Sequence, residues 1–198
     1  MTDGLPESGD GIARIYAADR AAWRSWLETH GETSAAVWLV YYKKSSGQPS
    51  ITWNEAVEEA LCFGWIDSKA KPVDDRRYMQ YFSPRRATSV WSAINKASVE
   101  RLIADGLMRE SGLRAIERAQ ANGSWSALDA VEALVIPDDL AAAFAAAPGT
   151  RDQFDGLSRT NRRIILQRIA TAKRPETRAR RIAAAVSAVA NGRPPGGI

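Results

Sequence analysis

Side chains able to do chemistry concentrate in one stretch of the chain, residues 61–95, where arginines, aromatic rings and hydroxyl groups mix with Gly and Pro. A stretch that only built core would show a cleaner apolar pattern. Arginines and aromatic rings are also the usual anchors of a binding surface. The candidate ligand-binding residues are Trp65, Asp67, Ser68, Tyr78, Ser83, Arg85, Arg86, Trp91 and Asn95.

If the segment GWIDS forms a strand, the spacing of its residues predicts which side chains share a face of the sheet. Alternate residues of a strand point to the same face, so Trp65 and Asp67 would face one way and Ser68 the other. A carboxylate beside Arg85 or Arg86 stays ionised and can orient the guanidinium group. The expected surface binds a phosphate, a carboxylate or a planar ligand.

A purely structural role is the alternative for each of these residues taken singly. Asp67 and Arg85 can form a salt bridge at the end of a sheet. Trp65 and Trp91 can be core residues whose indole N–H groups are satisfied by a neighbour. Taken together, the residues favour a binding surface, but the sequence leaves both interpretations open.

Catalysis has one candidate residue, Asp67, which could act as an acid or base with Ser68 or Tyr78 assisting. The chain has a single histidine, His30, and a single cysteine, Cys62. Zinc sites built from Cys and His need more ligands than this, and no disulfide can form within the chain. The sequence therefore predicts no metal and no cofactor, and it favours a binding protein over an enzyme.

Three further features have structural interpretations. Cys62 falls on the apolar face of a predicted helix, which favours a buried structural cysteine over a nucleophile. The acid pairs Glu58–Glu59 and Asp74–Asp75 could ligate a hard cation such as Mg²⁺. Charges on a helix surface or an exposed loop are the favoured interpretation for both pairs.

The net charge of +4 is unevenly distributed along the chain. Residues 151–198 contain eleven Lys and Arg against three acids, which makes this part +8 and the rest −4. Such asymmetry can indicate nucleic-acid binding, here through two basic helices near residues 159–173 and 176–190. The favoured alternative is an amphipathic surface in which arginines flank apolar residues that pack on the domain.

The elements that position these residues can be predicted from periodicity and capping signals. A helix begins after Asp19, the segment VWLVYY reads as a strand, and Thr52 with Glu55 forms a capping box for a second helix. Two strands follow Gly64, and helical patterns continue to Gly192. Ser89 or Ser92 can cap the first of these helices, and Ser158 can cap a later one. The predicted fold class is α+β, with a small antiparallel sheet and helices in the N-terminal half and an all-helical C-terminal half.

The chain ends have their own predictions. Residues 1–15 lack both periodicity and the basic start and apolar stretch of a signal peptide, so they are predicted to be a disordered leader. Residues 193–198 are predicted to be a tail. No apolar run approaches the ~20 residues that span a bilayer. We therefore expect a cytoplasmic protein without a membrane span.

Several of these segments together resemble the YdeI/OmpD-associated family of bacterial proteins, also described as bacteriocin-protection proteins. The resemblance is carried by VWLVYYKK, by FGWIDS, by FSPR with the following WS–N, and by the terminal LSRTNRRIILQRIATAK, between about Ala18 and Gly192. It implies an α+β YdeI-like domain at 16–123 and a helical OmpD-associated-type module at 124–192. The family has no settled reaction, so the resemblance assigns no catalytic residue.

The resemblance implies a role in protection against bacteriocins, antimicrobial peptides or other stress. Combined with the residue pattern, the leading hypothesis is a protection protein that binds a small anionic or aromatic ligand, or a partner protein, near Trp65–Asp67 and Arg85–Trp91. The alternatives are a hydrolase or modifying enzyme that acts on an antimicrobial through Asp67, and nucleic-acid binding through the basic C-terminal helices.

Overall fold

A computed structural model describes residues 11–192, which divide between two compact units, unit 1 (Met1–Trp125) and unit 2 (Ser126–Ile198). Most of the predicted leader, residues 1–10, and the predicted tail, 193–198, lie outside the described residues. Arg14 and Ile15 belong to a strand rather than to a leader, because Ile15 is buried in the core of unit 1.

A four-stranded sheet forms the centre of unit 1, and its strands are β1 (Arg14–Tyr16), β2 (Val37–Tyr42), β3 (Trp65–Pro72) and β4 (Arg77–Pro84). Three of its strands are antiparallel neighbours, and β1 runs parallel to β2 at one edge. The α+β class and the small sheet are therefore confirmed, whereas the parallel edge pair was not predicted. The order of the strands across the sheet is β1-β2-β4-β3.

Three of the four described helices of unit 1 begin at a capping side chain, and the fourth follows Arg109 without one. Asp19 caps the first helix through the backbone N–H of Ala22, and Thr52 and Glu55 form the predicted capping box. Ser92 caps the third helix by accepting from the N–H of Asn95. The helices are α1 (Arg20–His30), α2 (Trp53–Cys62), α3 (Ala93–Ala104) and α4 (Glu110–Ala121).

The main core of unit 1 lies between the helices and one face of the sheet. Because side chains alternate along a strand, Val37, Leu39 and Tyr41 of β2 face this core, together with Trp65 and Phe82. The opposite face of the sheet carries a smaller buried cluster of Trp38, Val40 and Met79.

Unit 2 is helical throughout its described secondary structure, as predicted for the C-terminal half. Ser158 caps the helix that begins at Arg159, as the sequence indicates, and Pro175 occupies the first turn of the helix that follows it. Within residues 11–192, no helix is both long and apolar enough to cross a membrane. The helices are α5 (Asp129–Glu132), α6 (Asp138–Ala145), α7 (Thr150–Asp155), α8 (Arg159–Ala170) and α9 (Pro175–Ala190).

Candidate functional site

The turn between α2 and β3 brings three parts of unit 1 together. Gly64 has a φ of +75°, a conformation that favours glycine, and its backbone carbonyl accepts a hydrogen bond from the N–H of Arg85 at 2.9 Å. Gly112 of α4 lies so close to the end of α2 that a β-carbon there would be 2.2 Å from the carbonyl oxygen of Cys62. The ends of α2 and β4 therefore meet α4 around this turn.

Trp65 follows the turn, and it both belongs to the core and lines a cavity. Its side chain is buried, its indole N–H donates to the carbonyl oxygen of Gly31 at 3.0 Å, and its ring packs edge-on against Trp26. The structural interpretation of a core tryptophan with a satisfied N–H is therefore confirmed. Trp65 also lines the cavity described below.

Arg85, a predicted site residue, has a charged side chain that is only 5% exposed, and this burial was not predicted. Its guanidinium carbon lies 3.7 Å from the centroid of the Trp91 ring, and Nη1 donates to the carbonyl oxygen of Val90 at 3.4 Å. Its Nε has no hydrogen-bond partner, and no carboxylate within the described residues forms an ion pair with Arg85. Burial lowers the pKa of Arg85 to about 10, an effect that the charge of Asp67 partly offsets.

A cavity of about 440 Å³ opens beside Arg85, and we call it the arginine cavity. Two exposed arginines of α4, Arg114 and Arg118, contribute further positive charge to it. Arg114 is partly neutralised, since it forms ion pairs with Glu110 at 2.6 Å and with Glu32 at 3.2 Å. The lining residues are Gly31, Glu32, Phe63, Gly64, Trp65, Pro84, Arg85, Ser111, Arg114, Ala115 and Arg118.

Asp67 lies away from the arginine cavity and has different partners from those predicted. Its Oδ2 accepts hydrogen bonds from the amide nitrogen of Gln80 at 3.0 Å and from the indole N–H of Trp53 at 3.2 Å. Within the described residues it forms no ion pair with Arg85, so the predicted carboxylate–guanidinium contact is absent. The register explains this, because β3 pairs Asp67 with Phe82, three residues before Arg85.

A second concavity of about 280 Å³ contains Asp67, and we call it the Asp67 groove. Asn95 of the predicted site is brought to it by α3. The structure thus divides the predicted residues between two places, with Trp65 and Arg85 at one and Asp67 and Asn95 at the other. The groove is lined by Trp53, Asn54, Val57, Glu58, Asp67, Ile94, Asn95 and Ser98.

The other predicted residues line neither cavity. Tyr78 stacks on Tyr41 with ring centroids 4.9 Å apart, and Trp91 is buried beneath Arg85. Ser68 and Arg86 are exposed, and Ser83 is half-buried. Within the described residues, no hydrogen bond joins the Asp67 carboxylate to the hydroxyl group of Ser68 or Tyr78, so catalysis through Asp67 stays a prediction.

Two family models match the chain. The first describes a domain of unknown function, DUF8412, and matches residues 15–115, just over half of the 198 residues. The chain belongs to this family. The second is described as bacteriocin-protection, YdeI or OmpD-associated, and matches residues 133–192. No curated protein and no solved structure matches the chain.

The second match confirms the family resemblance found in the sequence over residues 133–192 of unit 2. Both cavities lie in unit 1, and apart from Arg118 all their lining residues fall within the segment that the DUF8412 model matches. The arginine cavity and the Asp67 groove are therefore features of a domain whose family description names no function.

Ion pairs of a buried glutamate in α2 correct the interpretation of Glu58 and Glu59 as surface charges. Glu59 is 2% exposed rather than a surface charge, and it forms ion pairs with Arg24 at 2.7 Å and Arg20 at 3.1 Å. Cys62 is buried as predicted, and burial raises the pKa of its thiol. Across residues 11–192, no group of three or more His, Cys, Asp or Glu side chains is arranged to hold a metal ion.

The arginines of unit 2 make many contacts within that unit. Arg178 binds Asp139 through two hydrogen bonds, of 2.6 and 2.9 Å, and Arg163 pairs with Glu132 at 3.2 Å. Arg151 pairs with Asp155 at 2.7 Å. These contacts agree with an amphipathic surface, and nucleic-acid binding stays a prediction.

The residues that sequence reasoning missed are Arg114 and Arg118 of the arginine cavity and Trp53 and Ile94 of the Asp67 groove. The i, i+4 spacing of the two arginines was a usable signal, because such residues share one face of a helix. The exposure of Trp53 and Ile94 has no comparable signal in the sequence.

Proposed function

We propose that this chain is a protection protein that acts by binding a small anionic ligand in the arginine cavity. The protective role is supported by the description of the family that matches residues 133–192. Anion binding is supported by the residues of unit 1. A cytoplasmic location, and a partner protein in place of a small ligand, stay predictions.

The observation that carries the proposal is the buried guanidinium group of Arg85. Removing a charged group from water is costly unless an opposite charge or hydrogen bonds compensate it. Here the compensation is small, since it consists of the Trp91 ring and one long hydrogen bond to Val90. The lowered pKa of Arg85 reflects this cost, which is on the order of 3 kcal/mol. An anion bound at Arg85 would recover part of it.

The chemistry of the cavity walls indicates the ligand class. Carboxylates and phosphates are the groups that guanidinium forks bind with two parallel hydrogen bonds. Phe63 and Trp65 provide apolar wall, and a volume of about 440 Å³ falls within the range of small-molecule sites. Arg118 adds a charge that no acid of the described residues neutralises. We therefore expect a carboxylate or phosphate carried on a small apolar body.

Titration with benzoate tests the proposal, because benzoate carries a carboxylate on a flat apolar ring. We expect saturable binding by calorimetry, and at least a tenfold loss, about 1.4 kcal/mol, in Arg85→Met. Arg118→Gln should weaken binding severalfold. Arg86→Gln is the matched control, since Arg86 is exposed and does not line the cavity. Benzamide, the neutral counterpart of benzoate, should bind at least tenfold more weakly than benzoate.

Protection itself can be measured by expressing the chain in a bacteriocin-sensitive bacterial strain. We expect Arg85→Met to abolish the gain in survival and Arg86→Gln to retain it. If a folded Arg85→Met protein binds benzoate and protects cells as well as the natural chain, the proposal is wrong.

A further inference from the structure

The Asp67 groove differs in chemistry from the arginine cavity, because its charged residues are acidic. Two carboxylates, those of Glu58 and Asp67, contribute to its lining. Glu58 is already neutralised, since it pairs with both Arg20 and Arg101. Asp67 has no cationic partner within the described residues. The available negative charge of the groove is therefore that of Asp67.

Asp67 is held in a defined orientation by donors on one of its two oxygens. Trp53 and Gln80 both donate to Oδ2, and Gln80 is itself buried and fixed by a second bond, from its amide nitrogen to the carbonyl oxygen of Ser68 at 2.9 Å. The other oxygen, Oδ1, accepts no hydrogen bond from the described residues. A carboxylate arranged in this way can accept hydrogen bonds from a ligand without losing those that position it.

The rest of the groove presents apolar surface to solvent. Trp53 is 48% exposed and Ile94 is 74% exposed, and both are among the few large apolar side chains of the described residues that stay uncovered. Val57 extends this surface along α2. Apolar surface beside a preoriented polar group is the usual composition of a ligand site. The open face of Trp53 is also suited to contact with a cation.

We propose that the Asp67 groove is a second binding site, which takes a small organic cation with an ammonium group on an apolar body. The ammonium group donates to Oδ1 of Asp67, and the body covers Trp53 and Ile94. The groove volume of about 280 Å³ lies at the lower end of ligand-site volumes, which restricts the ligand to a small amine. The site is separate from the arginine cavity and does not depend on the function proposed there.

Phenethylammonium is a suitable probe, because it joins an ammonium group to a small apolar ring. The indole N–H of Trp53 donates to Asp67, so its NMR resonance reports the site directly. The resonance can be assigned by its loss in Trp53→Phe. We expect it to shift saturably with phenethylammonium, and 2-phenylethanol, which lacks the charge, to bind at least tenfold more weakly.

Two variants and two controls complete the test. Asp67→Asn should weaken phenethylammonium binding at least tenfold, whereas Asp75→Asn, which removes an exposed acid of the hairpin loop, should leave it unchanged. Ile94→Ser, which changes an exposed side chain and none of the bonds to Asp67, should weaken binding severalfold and decides the matter if Asp67→Asn fails to fold. Arg85→Met should bind the amine normally.

Three kinds of result would overturn the inference. The first is the absence of a saturable shift with phenethylammonium. The second is binding to a folded Asp67→Asn protein within twofold of the natural chain, or binding of 2-phenylethanol equal to that of the amine. The third is an equal loss in Asp75→Asn, which would indicate a general effect of charge rather than a site.

Discussion

Arg85 and Asp67 differ in how their charges are compensated, and this difference separates the two cavities. Arg85 is buried with an aromatic ring and one long hydrogen bond as its contacts. Asp67 is half-buried and accepts two side-chain hydrogen bonds. A buried charge that pairs poorly destabilises the folded chain, and natural proteins retain such groups mainly at functional sites. The poor compensation of Arg85 is what the proposed function requires, because a residue that serves binding need not stabilise the fold.

This interpretation predicts that Arg85→Met stabilises the protein. Methionine keeps most of the side-chain volume and removes the uncompensated charge, while the contact of the cation with Trp91 is lost. We expect the free energy of unfolding to rise by about 1–3 kcal/mol, measured by urea unfolding followed by tryptophan fluorescence. Arg86→Met should change it by less than about 0.5 kcal/mol. A clear loss of stability in Arg85→Met would show that Arg85 has a structural role instead.

For single residues, the sequence predicts the face of a strand on which a side chain lies better than it predicts the residues that the side chain contacts. Trp65 and Asp67 were expected on one face of a strand, and the structure places Phe82 and Pro84 of β4 opposite them. The partners of Asp67 could not be predicted, because they depend on the register of β4 and on the position of Trp53 in α2. Contacts between distant segments leave no trace in local spacing.

A bulge in β3 shows how one irregularity of an element changes the site. The register shifts between Asp67 and Ala70, so strict alternation of side chains is broken there. As a result Lys69 and Lys71 lie over the ring of Trp38, on the face of the sheet opposite the helices. Strict alternation would have placed Lys69 beside Asp67. The bulge therefore leaves the Asp67 carboxylate without a lysine partner.

Elements with a clear signal were predicted well, and short ones were missed. Asp19, Thr52 and Ser158 each cap a helix as expected, and Ser92 rather than Ser89 caps α3. The strand β1 and the helices α5 and α7 have three, four and six residues. Such lengths are too short for a period of two or of 3.6 residues to be recognised.

The contact between α2 and α4 predicts a strong effect of Gly112→Ala. In an ordinary helix alanine is favoured over glycine by up to about 1 kcal/mol. Here the added β-carbon would lie 2.2 Å from the Cys62 carbonyl oxygen, so the two elements must separate. We expect a net destabilisation of about 1–3 kcal/mol in urea unfolding and weaker benzoate binding. Gln120→Ala, at an exposed position of the same helix, is the control, and an equal effect there would contradict the argument.

The whole chain combines two units that have different charges and are matched by different family models. Unit 1 contains the sheet, the arginine cavity and the Asp67 groove, whereas unit 2 is helical and carries the excess of basic residues. Periodicity predicted the α+β class of the N-terminal half and the helical C-terminal half, which the structure confirms. The excess positive charge of residues 151–198 could also be read from the sequence. Two of the acids that form ion pairs with its arginines, Glu132 and Asp139, lie outside that segment.

Unit 1 is expected to fold without unit 2, because it contains its own core. All seven tryptophans of the chain lie in residues 1–125, and four of them are almost fully buried there. A fragment of residues 1–125 should therefore keep the tryptophan emission maximum of the full chain and unfold cooperatively in urea. A fragment of residues 1–110 is the control, since it lacks α4 and the contact of Gly112 with α2. It should show red-shifted emission and no cooperative transition. If the 1–125 fragment behaves in the same way as this control, residues 126–198 are needed for the folding of unit 1, and benzoate and phenethylammonium binding must be measured on the full chain.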